Sequence, residues 1–182
     1  MKVFVPGGKS IEVDGRRATV AELAERAGDD VAKRTVAARI GDRIVDLGAE
    51  VAPDAAVQLL TLDTADGLYV LRHSASHVMA TAVKRLFPEA RLGIGPPIED
   101  GFYYDFRLDH RLTEEDLGRI EDEMRKVVAE DHAFAREDVP REEALKRLRG
   151  RDEPFKVELV EKDLAQEGVV SFYTEGEFQD LC

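Results

Sequence analysis

The chain has 182 residues, of which 43% are hydrophobic and 35% are charged. This composition excludes a disordered chain, and the length allows one large domain or two small ones. The net charge of −12 argues against broad electrostatic binding to nucleic acid, because a phosphate backbone selects surfaces rich in lysine and arginine. The sequence shows neither an apolar run of roughly 18 residues nor a signal peptide, so we expect a cytoplasmic protein with no membrane partner.

Residues 1–62 are predicted to form one unit in which strands surround a helix. Residues 2–5 and 10–13 are β-prone and flank a loop of proline and glycine, which favours a hairpin. Thr19 is a helix-capping residue, and the apolar positions after it follow helical spacing as far as Gly28. This order suggests a β-grasp fold. Three more β-prone runs complete the unit, at residues 35–40, 43–47 and 56–62.

Residues 63–67 are polar and contain glycine, and we interpret them as a linker to a second domain over residues 68–182. A helix is predicted over residues 68–87, because apolar residues recur at helical spacing until Pro88. The apolar stripe of this helix consists of Leu71, Val78, Ala82 and Leu86.

The middle of the second domain is predicted to contain a loop, a strand and a helix. Residues 92–97 include two glycines and two prolines, which favour an ordered loop. Residues 102–108 alternate between apolar and polar side chains and predict a strand with Tyr104 on its apolar face. Thr113, followed by three acidic residues, predicts the start of a helix. The buried stripe of that helix is expected to be Leu117, Ile120, Met124, Val127 and Val128.

The last third of the chain completes an α+β fold. A helix is predicted over residues 141–149, before Gly150. Strands are predicted at residues 134–139, 155–160 and 169–174.

His73 and His77 are four residues apart on the first helix of the second domain, so their side chains share one face. Two of the four histidines of the chain lie in this turn, which favours a functional pair. The pair suits metal binding or a shared polar pocket, and the alternative is two half-buried rings bonded to backbone carbonyls. Cys182 is the one cysteine and would supply a third ligand of the kind that zinc accepts. The alternative for Cys182 is a small buried hydrophobe or part of a disordered terminus.

Lys156 lies in a β-prone run between Phe155 and Val157. On a strand it would face solvent, whereas in a partly closed pocket it would position or activate water. Tyr104 is expected to pack in the core through its ring, with a role for its hydroxyl group as the alternative.

The order of these motifs is more specific than any one of them. Residues 72–106, RHSASHVMATAVKRLFPEARLGIGPPIEDGFYYDF, resemble the start of the editing domain of bacterial threonyl-tRNA synthetases. The last ten residues, YTEGEFQDLC, resemble the segment that completes the editing pocket, and residues 1–62 resemble the TGS domain, a β-grasp module. A similar histidine pair and cysteine occur in alanyl-tRNA synthetase editing domains, but the TGS-like leader and the run GPPIEDGFYYDF favour the threonyl family.

The resemblance implies hydrolysis of mischarged Ser-tRNA(Thr) at the aminoacyl ester. It implies that His73 and Lys156 are catalytic and handle the hydrolytic water and the terminal ribose hydroxyl. Asp180 would accept the ammonium group of the substrate. The other substrate-binding residues that the resemblance implies are His77, Tyr104 and Cys182.

The resemblance implies no cofactor for editing, although His73, His77 and Cys182 are possible metal ligands. ATP and zinc would belong to an aminoacylation domain that this chain does not encode. The family has a further histidine shortly after the cysteine, so we expect a truncated N-terminal fragment of an enzyme that dimerises through its other domains. The implied partner is the acceptor end of tRNA(Thr) carrying serine, with no DNA partner. Most of the affinity for tRNA would then reside in the other domains, which agrees with the negative charge.

Two alternative functions stay open at this point. The chain could be a tRNA-contacting or regulatory module without turnover, because TGS-like domains also resemble small RNA-contacting units. It could instead be a zinc-binding domain.

Overall fold

The computed structural model describes residues 2–5, 8–12 and 17–182. The chain divides into two compact units, Met1–Arg72 and His73–Cys182. The loop predicted between the first two strands and the end of the predicted strand 10–13 lie partly outside the described residues. Within the described part of the chain, no helix has both the length and the apolar composition that a membrane crossing requires.

The first unit contains a mixed sheet with the strand order β2-β1-β7-β4-β5. The neighbours β1 and β7 are parallel, and the other pairs of this sheet are antiparallel. A short antiparallel pair, β3 and β6, lies outside this sheet. The predicted β-grasp fold and α+β class are confirmed. The elements that begin in this unit are β1 (Lys2–Val5), β2 (Lys9–Glu12), β3 (Ala18–Thr19), α1 (Val20–Ala27), α2 (Asp29–Ala32), β4 (Thr35–Ile40), β5 (Arg43–Val45), β6 (Glu50–Val51), β7 (Ala56–Thr61) and α3 (Ala65–Leu86).

Helix α1 begins at the predicted capping residue. The Thr19 side chain accepts a hydrogen bond from the Glu22 amide at 3.2 Å, and the Glu22 side chain accepts one from the Thr19 amide at 2.9 Å. This reciprocal pair satisfies two amide groups that the first helical turn leaves without partners. The buried residues of this helix are Val20, Leu23 and Ala24. They pack in the same apolar core as residues of the strands.

The second unit contains an antiparallel sheet with the strand order β12-β13-β14. Val170, Phe172 and Leu181 lie on one face of this sheet and pack in an apolar core with α5 and α6. Tyr173 and Asp180 are paired across β13 and β14 and therefore share the opposite face. The further elements are β8 (Arg91–Leu92), β9 (Pro97–Ile98), β10 (Gly101–Phe102), β11 (Phe106–Arg107), α4 (Glu114–Ala129), β12 (Ala135–Pro140), α5 (Arg141–Gly150), α6 (Pro154–Lys162), β13 (Val169–Glu175) and β14 (Phe178–Leu181).

Helix α4 begins after Thr113, as predicted, with a capping box between Thr113 and Asp116. Its buried side chains are Asp116, Ile120 and Val127. The prediction that Leu117 and Val128 are buried was wrong, because they are 58% and 64% exposed. Each follows a buried residue by one position, and one position is a rotation of about 100° around a helix. The buried face is therefore narrower than the apolar pattern suggested.

Two further predictions of secondary structure were wrong. Residues 102–108 form two short strands instead of one, since β10 pairs with β9 whereas β11 pairs with β8. Half-buried and exposed side chains still alternate through these residues. The predicted strand 155–160 is part of helix α6, which has Pro154 in its first turn.

Helix α3 begins at Ala65, three residues before the predicted start. Residues 65–67 of the predicted linker 63–67 thus lie in its first turn. Leu71, a member of the predicted apolar stripe, is 43% exposed. The domain boundaries 1–62 and 68–182 stay a prediction.

Candidate functional site

Six side chains from four parts of the second unit converge. Two histidines lie on α3, a lysine on α6, and a tyrosine between β10 and β11, while an aspartate and a cysteine come from β14 and the residue after it. We call this group the site cluster. Its members are His73, His77, Tyr104, Lys156, Asp180 and Cys182.

Asp180 is at the centre of the site cluster. The Lys156 amine lies 2.9 Å from Asp180 Oδ1, and the side chains of both residues are only 4% exposed. The Tyr104 hydroxyl donates a hydrogen bond of 2.5 Å to Asp180 Oδ2. His77 Nδ1 lies 3.8 Å from the same oxygen. The carboxylate is thus buried beside a cation and a strong donor, which offset the cost of removing it from water.

The ring of Tyr104 packs tightly against Phe106 and Gly95. It stacks on Phe106, with 4.8 Å between the ring centroids. At Gly95, an added Cβ would be 2.2 Å from the tyrosine ring. The loop therefore needs a residue without a side chain at this position. Burial and the negative charge of Asp180 raise the pKa of Tyr104 well above its usual value, so the hydroxyl keeps its proton and donates a hydrogen bond to Asp180.

Lys156 connects the site cluster to the backbone of β14. Besides its ion pair, the amine donates to the Tyr104 hydroxyl at 3.2 Å and to the carbonyl of Leu181 at 3.4 Å. The prediction that Lys156 faces solvent on a strand is wrong. On α6, Lys156 and Val160 are four residues apart and both buried, so the lysine belongs to the inner face of the helix.

The two histidines lie side by side, with ring centroids 5.1 Å apart. Burial lowers the pKa of His77 to about 4. Burial also lowers the pKa of His73, with Asp180 opposing this shift and Lys156 adding to it. Both imidazoles are therefore neutral at pH 7, and each has one ring nitrogen that can accept a proton.

Cys182 extends the pairing of β14 by one residue. Its amide donates to the Ser171 carbonyl at 2.9 Å, and its carbonyl accepts from the Ser171 hydroxyl at 2.5 Å. The Cys182 sulfur is 3.2 Å from His73 Nε2. One ligand atom from each of His73, His77 and Cys182 lies within 4.8 Å of the other two.

The structure brings together all six residues that the sequence analysis singled out. Their roles in catalysis, in substrate binding or as metal ligands stay predictions. Three residues that support the cluster were not predicted as site residues. Gly95 lies in the predicted loop, and Thr81 and Glu175 lie in the two runs that carry the resemblance, but the contacts of all three depend on the tertiary fold.

Comparison with known proteins agrees with the resemblance seen in the motifs. Residues 1–61 match the family model of the TGS domain. A threonine–tRNA ligase of Symbiobacterium thermophilum is 47% identical over 180 residues, which is 99% of this chain and 27% of the relative. The threonine–tRNA ligase of Clostridium tetani is 43% identical over 182 residues, or 100% of this chain and 28% of the relative.

The chain matches the N-terminal region of threonine–tRNA ligases. The ligase of Desulforamulus reducens adds a third such match, with 46% identity over 164 residues. The chain spans little more than a quarter of the length of the first two ligases. The resemblance to the TGS-containing N-terminal region of these ligases is confirmed.

Proposed function

We propose that residues 73–182 form an editing site that hydrolyses serine from mischarged tRNA(Thr). The observation that carries this proposal is the convergence of a neutral histidine, His73, with the buried pair of Lys156 and Asp180. These groups supply a base, a cation and an anion within one cluster. An amino acid ester presents three matching groups, which are a carbonyl carbon open to attack, a ribose oxygen and an ammonium group.

A ligase specific for threonine has a physical reason to use such a site. Serine lacks one methyl group of threonine, and one methyl contact changes binding by roughly 1–3 kcal/mol, or about 10–200-fold. A second site that accepts serine and hydrolyses its ester multiplies this discrimination. The wrong product is removed after it has formed.

His73 is the proposed general base. Its neutral imidazole accepts a proton from water as the water oxygen bonds to the ester carbonyl carbon. The bond from that carbon to the ribose oxygen then breaks, and the ribose oxygen takes up the proton. The products are serine and tRNA with a free terminal hydroxyl.

Lys156 and Asp180 are proposed to hold the two ends of the ester. The amine of Lys156 donates to the ribose oxygen, where negative charge develops as the bond breaks. Asp180 accepts the substrate ammonium group. Both of its oxygens already have a partner, but a carboxylate has about four acceptor positions. Tyr104 and Lys156 thus orient Asp180 without using all of its acceptors.

The direct test is deacylation of Ser-tRNA(Thr) by the chain. We expect hydrolysis of the seryl ester, no hydrolysis of Thr-tRNA(Thr), and a loss of about 10²–10⁴-fold in rate for His73→Gln. The matched control is His110→Gln, which changes a histidine whose side chain is 45% exposed and which lies outside both the site cluster and the β13–β14 hairpin. Circular dichroism of each variant checks that it is folded.

Hydrolysis that is equal in His73→Gln and in the wild-type chain would contradict the role of His73. Binding of the acceptor end without any hydrolysis would instead support the non-catalytic module.

A second candidate function is zinc binding, which the positions of His73, His77 and Cys182 favour. In a tetrahedral site with bonds of about 2.0–2.3 Å, ligand atoms lie about 3.3–3.6 Å apart. The contact of 3.2 Å between His73 and Cys182 is close to this spacing, whereas the widest separation of 4.8 Å would have to shorten. Stoichiometric zinc that is lost in His77→Ala would support this function, and hydrolysis by metal-free protein would separate it from editing.

A further inference from the structure

Glu175 is a buried acidic residue on the face of the β13–β14 hairpin that carries Asp180. Its exposed fraction is 5%. It is paired with Phe178 across the hairpin, just as Tyr173 is paired with Asp180. Paired residues share a face of the sheet, and in one strand the side chains two positions apart share it as well. Glu175 and Asp180 therefore point to the same side, where helix α3 lies.

Thr81 connects Glu175 to the backbone of His77. Its hydroxyl oxygen is 2.9 Å from the His77 carbonyl oxygen and 3.2 Å from Glu175 Oε2. A threonine hydroxyl has one proton, and a carbonyl and a carboxylate are both acceptors. If Glu175 were ionised, the single proton would have to serve two acceptors. With a proton on Glu175, the carboxyl group donates to Thr81, and Thr81 donates to the His77 carbonyl.

We propose that Glu175 is a neutral carboxylic acid that connects the β13–β14 hairpin to helix α3 through Thr81 and so positions His77. In this arrangement each of the three groups makes a hydrogen bond with the correct polarity. Glu175 is a positioning residue, since it acts on the site cluster through Thr81. Its effect on ester hydrolysis rests on the proposed function, whereas its protonation state does not.

The charges around Glu175 agree with a neutral acid. Burial is the largest influence and raises its pKa, and Glu130 acts in the same direction. The hydrogen bond with Thr81 and the electrostatic influence of His132 and Arg85 oppose this shift.

Both Arg85 and His132 already contact Glu130. Arg85 makes two hydrogen bonds of 2.7 Å to it, and His132 Nε2 lies 3.2 Å from it. Among the described residues, no lysine, arginine or histidine forms a salt bridge with Glu175.

We call the connection from Glu175 through Thr81 to the His77 carbonyl the bridge. The position of Thr81 explains why the bridge reaches the site cluster. Thr81 follows His77 by one helical turn, and the His77 ring lies 6.4 Å from the ring of Tyr173, two residues before Glu175. The bridge therefore fixes the distance between the histidine turn of α3 and the hairpin that supplies Asp180. Without it, one of the contacts between these two elements is lost.

The first measurement is infrared spectroscopy of the whole chain at pH 7. We expect the carbonyl band of a neutral carboxylic acid, which is absent in Glu175→Gln.

A second measurement is thermal unfolding of Glu175→Gln and Glu175→Ala. The amide of glutamine retains a donor for Thr81, so the Tm of Glu175→Gln should differ from the wild-type Tm by less than about 2 °C. Alanine should lower the Tm by roughly 2–8 °C.

The pH dependence gives an independent readout. Because the pKa of Glu175 is raised in the folded state, its stabilising contribution is present at low pH and is lost as pH rises through the folded pKa. Seryl ester hydrolysis by the wild-type chain should therefore fall at alkaline pH relative to Glu175→Gln. Absence of the acid band at pH 7, or equal destabilisation by glutamine and alanine, would overturn the proposal. An acid band without seryl ester hydrolysis would leave the bridge established and count against the editing function alone.

Discussion

His77 is surrounded by charged groups, but burial keeps its imidazole neutral. Its pKa of about 4 in the folded protein compares with 6.5 for an ordinary histidine. Between these values the unfolded chain binds more protons than the folded one. Above pH 6.5 the neutral His77 costs the folded state nothing. As the pH falls towards 4, the free energy of unfolding decreases. The cost reaches at most about 3 kcal/mol.

We expect His77→Gln to weaken this acid sensitivity. Urea unfolding of the wild-type chain and the variant at pH 7.5 and pH 5 measures the difference. The free energy of unfolding should fall less on acidification in the variant, because glutamine does not titrate. Since His73 is present in both proteins, the comparison isolates His77. Equal losses in the two proteins would contradict the assigned shift.

The hydroxyl group of Tyr104 is the part of this residue that orients Asp180. Tyr104→Phe keeps the ring against Gly95 and Phe106 but removes the donor to the carboxylate. We expect a loss of about 1.5–3 kcal/mol in the free energy of unfolding, the usual value for a hydrogen bond to a charged group. Chemical denaturation measures this loss.

The neighbouring tyrosine provides the control for this variant. Tyr103 is 44% exposed. Tyr103→Phe should leave stability within about 0.5 kcal/mol of the wild-type value, as is usual for surface substitutions. A similar loss in both variants would show that the Tyr104 hydroxyl contributes nothing specific.

The loop between β8 and β9 determines where the Tyr104 ring lies. Gly95→Ala introduces a methyl group at the position of that ring, so the tyrosine must move away from Asp180. We expect destabilisation of about 1–3 kcal/mol, as for other overpacked sites, and a lower rate of seryl ester hydrolysis. Unfolding and deacylation measured on the same preparation test both effects.

Gly118 on helix α4 is the matched control for this substitution. An added Cβ at Gly118 would meet no atom within 4 Å. Alanine also has a better helix propensity than glycine, so Gly118→Ala should stabilise the chain by up to about 1 kcal/mol. Destabilisation by both alanines would show that the tight contact at Gly95 is not the cause.

Elements governed by local rules were predictable from the sequence. Thr19 and Thr113 each begin a helix, because a capping box needs only residues three positions apart. Helix α6 was mistaken for a strand, since its short apolar run fits both structures. The buried partner of Val160 in this helix is Lys156, and a charged residue on the inner face concealed the helical pattern.

The candidate site was predictable only in part. The spacing of His73 and His77 is by itself enough to place them on one face of a helix. The contacts of Lys156 and Tyr104 with Asp180 join residues far apart in the chain, so no spacing rule predicts them. Only the resemblance to an editing domain grouped them. Glu175 lies in the run of ten residues that carries the resemblance, but neither local pattern nor resemblance gave it a role.

The charge of the whole chain limits how it can bind RNA. Its 38 acidic and 26 basic residues give the net charge of −12. We expect tRNA without an attached amino acid to bind weakly, with few phosphate contacts. The logarithm of the dissociation constant should then rise with the logarithm of salt concentration with a slope of about 1–2, since each contact adds about 0.7–0.9. Filter binding at several salt concentrations gives the slope, and a value above about 4 would indicate a cationic surface that this charge does not lead us to expect.

The antiparallel register of β13 and β14 has a consequence for insertions and deletions. Asp180 and Leu181 are adjacent, and they point to opposite faces of the sheet. A shift of β14 by one residue would bring the leucine to the histidines and force the carboxylate into the apolar core. The two-residue turn at Gly176 keeps this register. At Gly176 the backbone has a φ of +57°, and His132 occupies the space that a side chain would fill. We therefore expect natural variants of this region to tolerate substitutions in β14 far better than changes in the length of its turn.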